Sequence, residues 1–481
     1  MNVSDVSNRL NTNKYSQKRI SFQKIKSIPV SQILTISFFC FVFLLFIIMR
    51  DLLDINIPSS IYSIIALLGF ILLNKGIGVS FLVFMLPYKN GIGYNEILLV
   101  YALVYIVKYR ETIKISSPWI IVMILFAIEM QSLFQSSGSI MEILRFFIYF
   151  FIPCLVLQDE FDNNEIKRII VACCLGIASA SLIALLITVK YTNWDIVFSG
   201  AIRIGLTNQF ISGLSTTFNP NEMGVFLCLA MSLVFTLLNR SQVNRFSGLV
   251  LLILLFFLGL LSQSRGFLIS LLLMLSYFIL FTSKSIRSFL NRLFILVISS
   301  AFTWVIYERL LFNTVNAFVL RFSATDVTNG RVGILLGYYN LWLSDLRAFF
   351  IGYSQQTYQM FGLRAGIANV AHNAIMELLI SWGIIGTILT IMWVIILVKK
   401  QLLFRGKIAF AKIDKVIFLP LFTLVVLVQN GQFISNYSYV ILMMVAILSI
   451  REINIKSERK SSKSSIYHPK KYREIPYESA N

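Results

Sequence analysis

Residues 247–283 read SGLVLLILLFFLGLLSQSRGFLISLLLMLSYFILFTS. Two apolar runs, 247–262 and 266–283, meet at one polar corner, Ser262-Gln263-Ser264-Arg265. Each run is close to the roughly 17–25 residues that carry a helix across the hydrocarbon of a bilayer. A helix that is apolar on every face has no side to turn to water. The stretch therefore reads as two membrane spans joined at one boundary.

The same pattern recurs on both sides of it. Apolar segments fall near 33–49, 57–74, 77–88, 96–107, 118–135, 140–157, 169–189, 222–239, 247–262, 266–283, 293–308, 373–398, 416–430 and 437–450. The third and fourth are short for a span, so the expected count is 12–14. Composition agrees: 57% of the 481 residues are hydrophobic and 13% charged, against about 45–50% and 25% in ordinary soluble domains. The mean hydropathy is +0.78. A soluble chain with that excess would be coated in exposed apolar surface, which excludes a cytosolic enzyme, a secreted domain and a disordered chain. The expected fold class is an all-α polytopic membrane protein. The five cysteines, Cys40, Cys154, Cys173, Cys174 and Cys228, all lie inside apolar runs without metal-ligand spacing. They read as small apolar packing residues.

Forty-two Lys and Arg against twenty-two Asp and Glu give a net charge of +20. Placing both termini in the cytoplasm puts 31 of the 42 cations inside and ten outside, with Arg145 within a span. That distribution obeys the positive-inside rule, so most of the basicity is an orientation signal. The N-terminal 30 residues carry six cations against Asp5, and read as a basic cytoplasmic tail rather than a cleavable leader. The membrane domain is expected over 31–450, followed by a polar, disordered cytoplasmic tail over 451–481.

Two outer loops are long, at about 190–221 and 309–371, and loops of such length tend to carry function. Within the second, apolar spacing from Arg331 to Leu343 predicts an amphipathic helix along the outer interface. The ten outer cations are Arg50, Lys89, Lys190, Arg203, Arg265, Arg309, Arg321, Arg331, Arg347 and Arg364. Eight are arginines, whose planar fork suits bidentate contact with phosphate. The alternative is that they snorkel or pair with Asp195, Asp326 or Asp345. Tyr338, Tyr339, Trp342, Tyr353 and Tyr358 offer faces for sugar rings, or anchor the loop at the interface.

The sharpest constellation begins at one of only two histidines. His372 opens the run AHNAIMELLISWGIIG, residues 371–386, at the outer mouth of a long span. A neutral imidazole there can accept a proton near physiological pH. Glu377 lies one to two turns further in, and Gly383 and Gly386 permit close helix packing. Asn219-Pro220-Asn221 closes the first long loop, and Asn219 before Pro220 is also a good helix start. Arg265 sits at the polar corner quoted above, where a cation is costly unless paired or occupied by a ligand. Glu129, Glu142 and Arg145 lie within apolar segments; the last two are three apart and read as a structural pair.

These motifs together resemble the O-antigen ligase and Wzy-type polysaccharide polymerase superfamily. The family pattern near the last long outer loop is His-[Asn/Ser/Gln], nine residues, then Gly-x-x-Gly; His372-Asn373 and Gly383-Ile384-Ile385-Gly386 match it. Asn219-Pro220-Asn221, Ser262-x-Ser264-Arg265, Arg203, Arg321 and Gly330-Arg331 also look like family elements, in the usual order. The likeness covers roughly residues 190–400, with the many-span architecture around it. One departure is Leu335, where the family commonly has Trp four residues after Gly-Arg.

The resemblance implies a GT-C-like architecture and a metal-independent glycosyltransferase of the bacterial cytoplasmic membrane, working on its outer face without a cofactor. His372, Arg265 and Arg203 would be catalytic, and Arg321, Arg331, Asn219, Asn221, Asn373 and Glu377 substrate-binding. Its partners would be an undecaprenyl-diphosphate-linked glycan donor and acceptor, the lipid bilayer and a chain-length regulator, with no nucleic acid. The implied reaction polymerises lipid-linked repeat units of a surface polysaccharide. The alternatives are a ligase delivering finished polymer to lipid A-core and, from another class, a flippase for lipid-linked glycan.

Overall fold

The computed structural model describes residues 30–89, 91–134, 139–199, 201–205, 219–283, 285–294, 316, 330–367, 369–403, 415–428, 433 and 437–451. Its regular elements are helical. They are α1 (Val30–Asp51), α2 (Ser59–Leu72), α3 (Lys75–Met85), α4 (Tyr94–Tyr109), α5 (Ser117–Glu129), α6 (Ile140–Leu157), α7 (Asn163–Tyr191) and α8 (Trp194–Phe198). Then follow α9 (Pro220–Asn239), α10 (Arg245–Leu261), α11 (Arg265–Thr282), α12 (Arg331–Leu343), α13 (Leu346–Ile351), α14 (Tyr358–Arg364), α15 (Ala374–Leu403), α16 (Leu419–Val428) and α17 (Ser438–Arg451).

Among the described residues, seven helices are long and apolar enough to cross a membrane: Val30–Asp51, Ser117–Phe134, Ile140–Leu157, Asn163–Tyr191, Pro220–Asn239, Arg265–Thr282 and Ala374–Leu403. Shorter apolar helices run beside them, including α2, α10 and α17. The expected segment at 293–308 falls almost wholly outside the described residues. The chain is a helical protein with the make-up of a multi-pass membrane protein.

Local sequence explains where the helices start. Asp162 caps α7 by accepting from the Glu165 N–H at 2.8 Å, and Glu165 reaches back to the Asp162 N–H at 2.9 Å. That reciprocal pairing satisfies two of the backbone donors a helix start leaves open. Asn219 caps α9 with Pro220 in the first turn, as its sequence predicts. Glu142 and Arg145 form the ion pair expected of them.

The packing places a centre and a rim. Every residue of α17 is buried, and α9 is buried along most of its length. On the rim, α1 turns out an apolar stripe of Leu34, Phe38, Phe41, Leu45 and Ile48. Its spacing of three and four residues marks a single helix face, as suits a helix that meets hydrocarbon. All five cysteines are free thiols, four of them buried, as packing residues should be.

Successive helices from α1 to α7 and from α9 to α11 alternate in direction, so the bundle has two distinct ends. Lys75, Asp159, Gln401 and Arg451 meet at one, where Gln401 donates to the Leu157 carbonyl at 2.6 Å. Arg50, Lys89, Lys190, Arg203 and Arg265 gather at the other, the end where α9, α11 and α15 begin.

The long loop before α15 differs from expectation. From α12 to α14 it builds its own small core of Tyr338, Trp342, Ala348, Tyr353, Tyr358, Ile367 and Ala371, closed against Met376 and Ile380 of α15. Four of the five aromatics read as sugar platforms or interfacial anchors are thus core residues, Tyr338 and Tyr358 being fully buried. Tyr339 alone among them stays exposed. A helix forms over Arg331–Leu343 as expected, with Val332, Leu336, Tyr339 and Leu343 exposed on one stripe of α12.

Candidate functional site

The polar corner between α10 and α11 is a tight turn whose parts are fixed from several directions. Ser264 caps α11, its hydroxyl accepting from the Phe267 N–H at 3.3 Å. Gln263 takes a left-handed backbone conformation, φ 48°, which is unusual for a residue with a side chain. Arg265 follows as the first residue of α11 and is half-buried.

Arg203 reaches this corner from the first long loop. Its Nε donates to the Ser262 carbonyl at 2.9 Å, and its Nη2 donates to Asn221 Oδ1 at 2.9 Å. The backbone there is pinned as well, Ile204 N–H donating to the Leu261 carbonyl at 3.3 Å. Asn219 and Asn221 therefore have structural work: Asn219 Oδ1 takes the Asn221 N–H, and Asn221 holds Arg203. Beside them Glu222 pairs with Lys89, which also donates to Ser438 Oγ at 3.2 Å.

The second half of the site comes from α15. His372 lies just before the helix, half-buried, with φ 48°. A histidine in the left-handed region is strained, and such strain tends to collect where geometry serves function. Asn373 caps the helix through Oδ1, which accepts from the Met376 N–H at 3.0 Å.

The span read as one continuous helix is broken. Gly383 sits inside it at φ 62°, ψ −169°. The backbone of the loop before α15 runs into the gap, Tyr353 and Ser354 N–H groups donating to the Ile380 and Ser381 carbonyls at 2.8 and 2.7 Å. A Cβ on Gly383 would stand 2.2 Å from the Phe350 carbonyl carbon, and one on Gly352 would stand 2.3 Å from the Ser381 carbonyl. The first glycine of the Gly-x-x-Gly pair thus serves a helix break with a docked strand of backbone, rather than helix-on-helix packing. Non-helical backbone inside an apolar bundle survives only where protein supplies its hydrogen bonds, and here it does.

Electrostatics joins the two halves. Burial and then the nearby Arg331 cation hold the His372 imidazole below its ordinary pKa. Burial and then the Arg265 cation likewise push Arg331 down. Arg265, Arg331 and His372 therefore share one neighbourhood, and Arg203 is tied to the same corner through Ser262. At neutral pH the imidazole is uncharged and able to take a proton, beside guanidinium groups able to hold an anion.

Two expected site residues stand differently. Glu377 is fully buried, and its Oε2 accepts from the Phe433 N–H at 2.5 Å. That bond ties the first turns of α15 to the backbone at Phe433. Arg321 lies outside the described residues. Of the cations expected on the outer side, Arg50, Lys89 and Lys190 pair with Asp51, Glu222 and Asp54, rather than with Asp195, Asp326 or Asp345. Asp345 instead caps α13 by accepting from the Arg347 N–H at 2.9 Å.

Sequence reasoning missed the role of Glu129, which accepts from the Trp382 indole N–H at 2.7 Å and from the Gln355 N–H at 3.0 Å. The available signal was its position as the one charge in the otherwise apolar α5. Compared with protein families, with curated proteins and with solved structures, the chain matches none.

Proposed function

We propose that this chain is a membrane glycosyltransferase that polymerises undecaprenyl-diphosphate-linked oligosaccharide units at the outer face of the cytoplasmic membrane. In this reading it spans the membrane 12–14 times in a GT-C-like architecture, with both termini in the cytoplasm and the end bearing His372 outside. The observation that carries it is the grouping of a neutral histidine with Arg331 and Arg265 at one end of an apolar bundle.

The chemistry follows from that grouping. A sugar leaving a lipid diphosphate transfers its anomeric carbon to an acceptor hydroxyl, and negative charge grows on the departing diphosphate. Arginines preset at that point stabilise the charge as it develops. His372, kept neutral by burial and by Arg331, takes the proton of the incoming hydroxyl as general base. Attack from the face opposite the leaving group inverts the anomeric centre. The Ser262–Arg265 turn and Arg203 hold the cationic side in place, so little reorganisation is needed at the moment of transfer.

A surface-glycan gel of cells carrying His372→Ala tests this. The expected result is loss of the ladder with a single capped unit retained, a drop of about 100-fold or more in polymer. Polymer of wild-type length at normal expression contradicts it. Loss of all attached glycan with lipid-linked polymer accumulating would instead assign the ligase reaction, and loss of translocated lipid-linked units the flippase. Arg265→Lys keeps the charge but not the fork, and is expected to lower polymer about tenfold.

A further inference from the structure

Helix α5 is apolar from Ser117 to Ile128 and ends on Glu129, whose side chain is fully buried. A buried carboxyl costs several kcal/mol unless hydrogen bonds replace its water. In an apolar bundle such a residue points to function, with its partners as the guide. Glu129 Oε2 takes both the Trp382 indole N–H and the Gln355 backbone N–H, while Oε1 has no hydrogen-bond partner.

Those two donors belong to the two pieces that present the site. Trp382 is the last residue before the break at Gly383, and its ring is locked edge-on against Phe146 at 5.0 Å and Phe150 at 5.8 Å. The half-helix it closes starts directly after His372 and Asn373. Gln355 lies in the segment that follows the docked backbone of Tyr353 and Ser354, and its own Oε1 accepts from Tyr437 at 2.9 Å. That segment leads into α14, where Tyr358 packs on Tyr338 of α12, the helix that Arg331 begins. One carboxylate on α5 therefore grips both the support of His372 and the support of Arg331.

We infer that Glu129 is a positioning residue for this site: through Trp382 and Gln355 it holds the half-helix after His372 and the loop bearing Arg331 in one register. It touches neither substrate nor reacting atoms. Its importance for transfer rests on the function proposed above, whereas the register itself does not.

The test is the reaction of His372 with diethyl pyrocarbonate in the purified full chain, followed by peptide mass spectrometry from pH 5 to 8. His468, the other histidine, serves as the internal reference for reagent. In the wild type the midpoint of the pH dependence lies below the ordinary ~6.5, because burial and Arg331 disfavour the imidazolium. Glu129→Leu and Trp382→Phe are expected to move it up toward that ordinary value, as His372 and Arg331 separate. Glu129→Gln keeps an acceptor oxygen for both donors and is expected to keep the wild-type midpoint.

Trp382→Phe preserves an aromatic ring and removes the indole donor, so it reads the same contact if Glu129→Leu does not fold. A wild-type midpoint in folded Trp382→Phe overturns the inference. So does a Glu129→Gln midpoint displaced as far as that of Trp382→Phe. Histidine modification needs no lipid donor; if His372→Ala leaves polymer unchanged, the functional reading fails by itself and the register is still measured.

Discussion

The Lys75–Asp159 cluster at one end of the helix bundle and the surroundings of His372 at the other use charge in opposite ways. At one end Lys75 pairs with Asp159, Tyr105 donates to the other Asp159 oxygen at 2.5 Å, and Arg451 donates to its backbone carbonyl. Opposite charges meet there, and Asp159 and Arg451 are nearly closed to water, at 5% and 3% exposure. At the other end Arg50, Lys89 and Lys190 are also paired, but around His372 the resolved effects between charges are repulsive, Arg265 acting on Arg331 and Arg331 on His372. The first arrangement fastens α3, α6 and α17 together. The second holds the His372 imidazole below its ordinary pKa beside half-exposed arginines, which is the arrangement the proposed function draws on.

The strongest way to break this contrast is through the backbone that frames the second end. Gly383→Ala would drive a methyl into the Phe350 carbonyl group in a conformation that side chains rarely adopt. About 3 kcal/mol or more of stability should go, read as a lower melting temperature in detergent, together with the activity. A variant that melts like the wild type would mean that the loop does not dock in the helix break.

Next in size is Asp159→Asn at the first end. It strips the carboxylate from Lys75, and breaking such a pair costs about 2–4 kcal/mol, the lower figure applying because Lys75 reaches some water. The pH dependence of transfer should not move. A shifted profile would show that the two ends are coupled and the contrast false.

The smallest effect is the most specific. Arg331→Gln removes a cation that opposes protonation of His372, so the histidine pKa must rise. The base is then protonated at higher pH, and the acid limb of a kcat/KM profile moves up with little change in melting temperature. An acid limb in the same place would remove Arg331 from the surroundings of His372.

Much of this was legible in the sequence, for physical reasons. Apolar runs report burial in hydrocarbon directly, so α1, α9, α10, α11 and the extent of α15 follow from composition. The cap at Asn219 is local chemistry and needed no tertiary knowledge. The clustering of Arg203, Asn221, Ser262 and Arg265 followed from their shared place at one boundary.

The break at Gly383 was not legible. Hydropathy runs through it unchanged, and Gly-x-x-Gly reads equally as a packing motif until the docked segment is seen. Nor was the loop core: Tyr338, Trp342, Tyr353 and Tyr358 have the same composition whether they face sugar, lipid headgroups or one another. Glu377 shows the same limit, since its hydrogen bond from the Phe433 N–H, 56 residues away, has no signature in local sequence.

The most direct measurement of the central claim is transfer in the purified chain, supplied with an undecaprenyl-diphosphate-linked glycan as donor and acceptor. Wild-type protein should lengthen the glycan and release undecaprenyl diphosphate in equal amounts, and His372→Ala should slow both by about 100-fold or more while the chain stays folded. Equal rates for the two proteins would contradict the account.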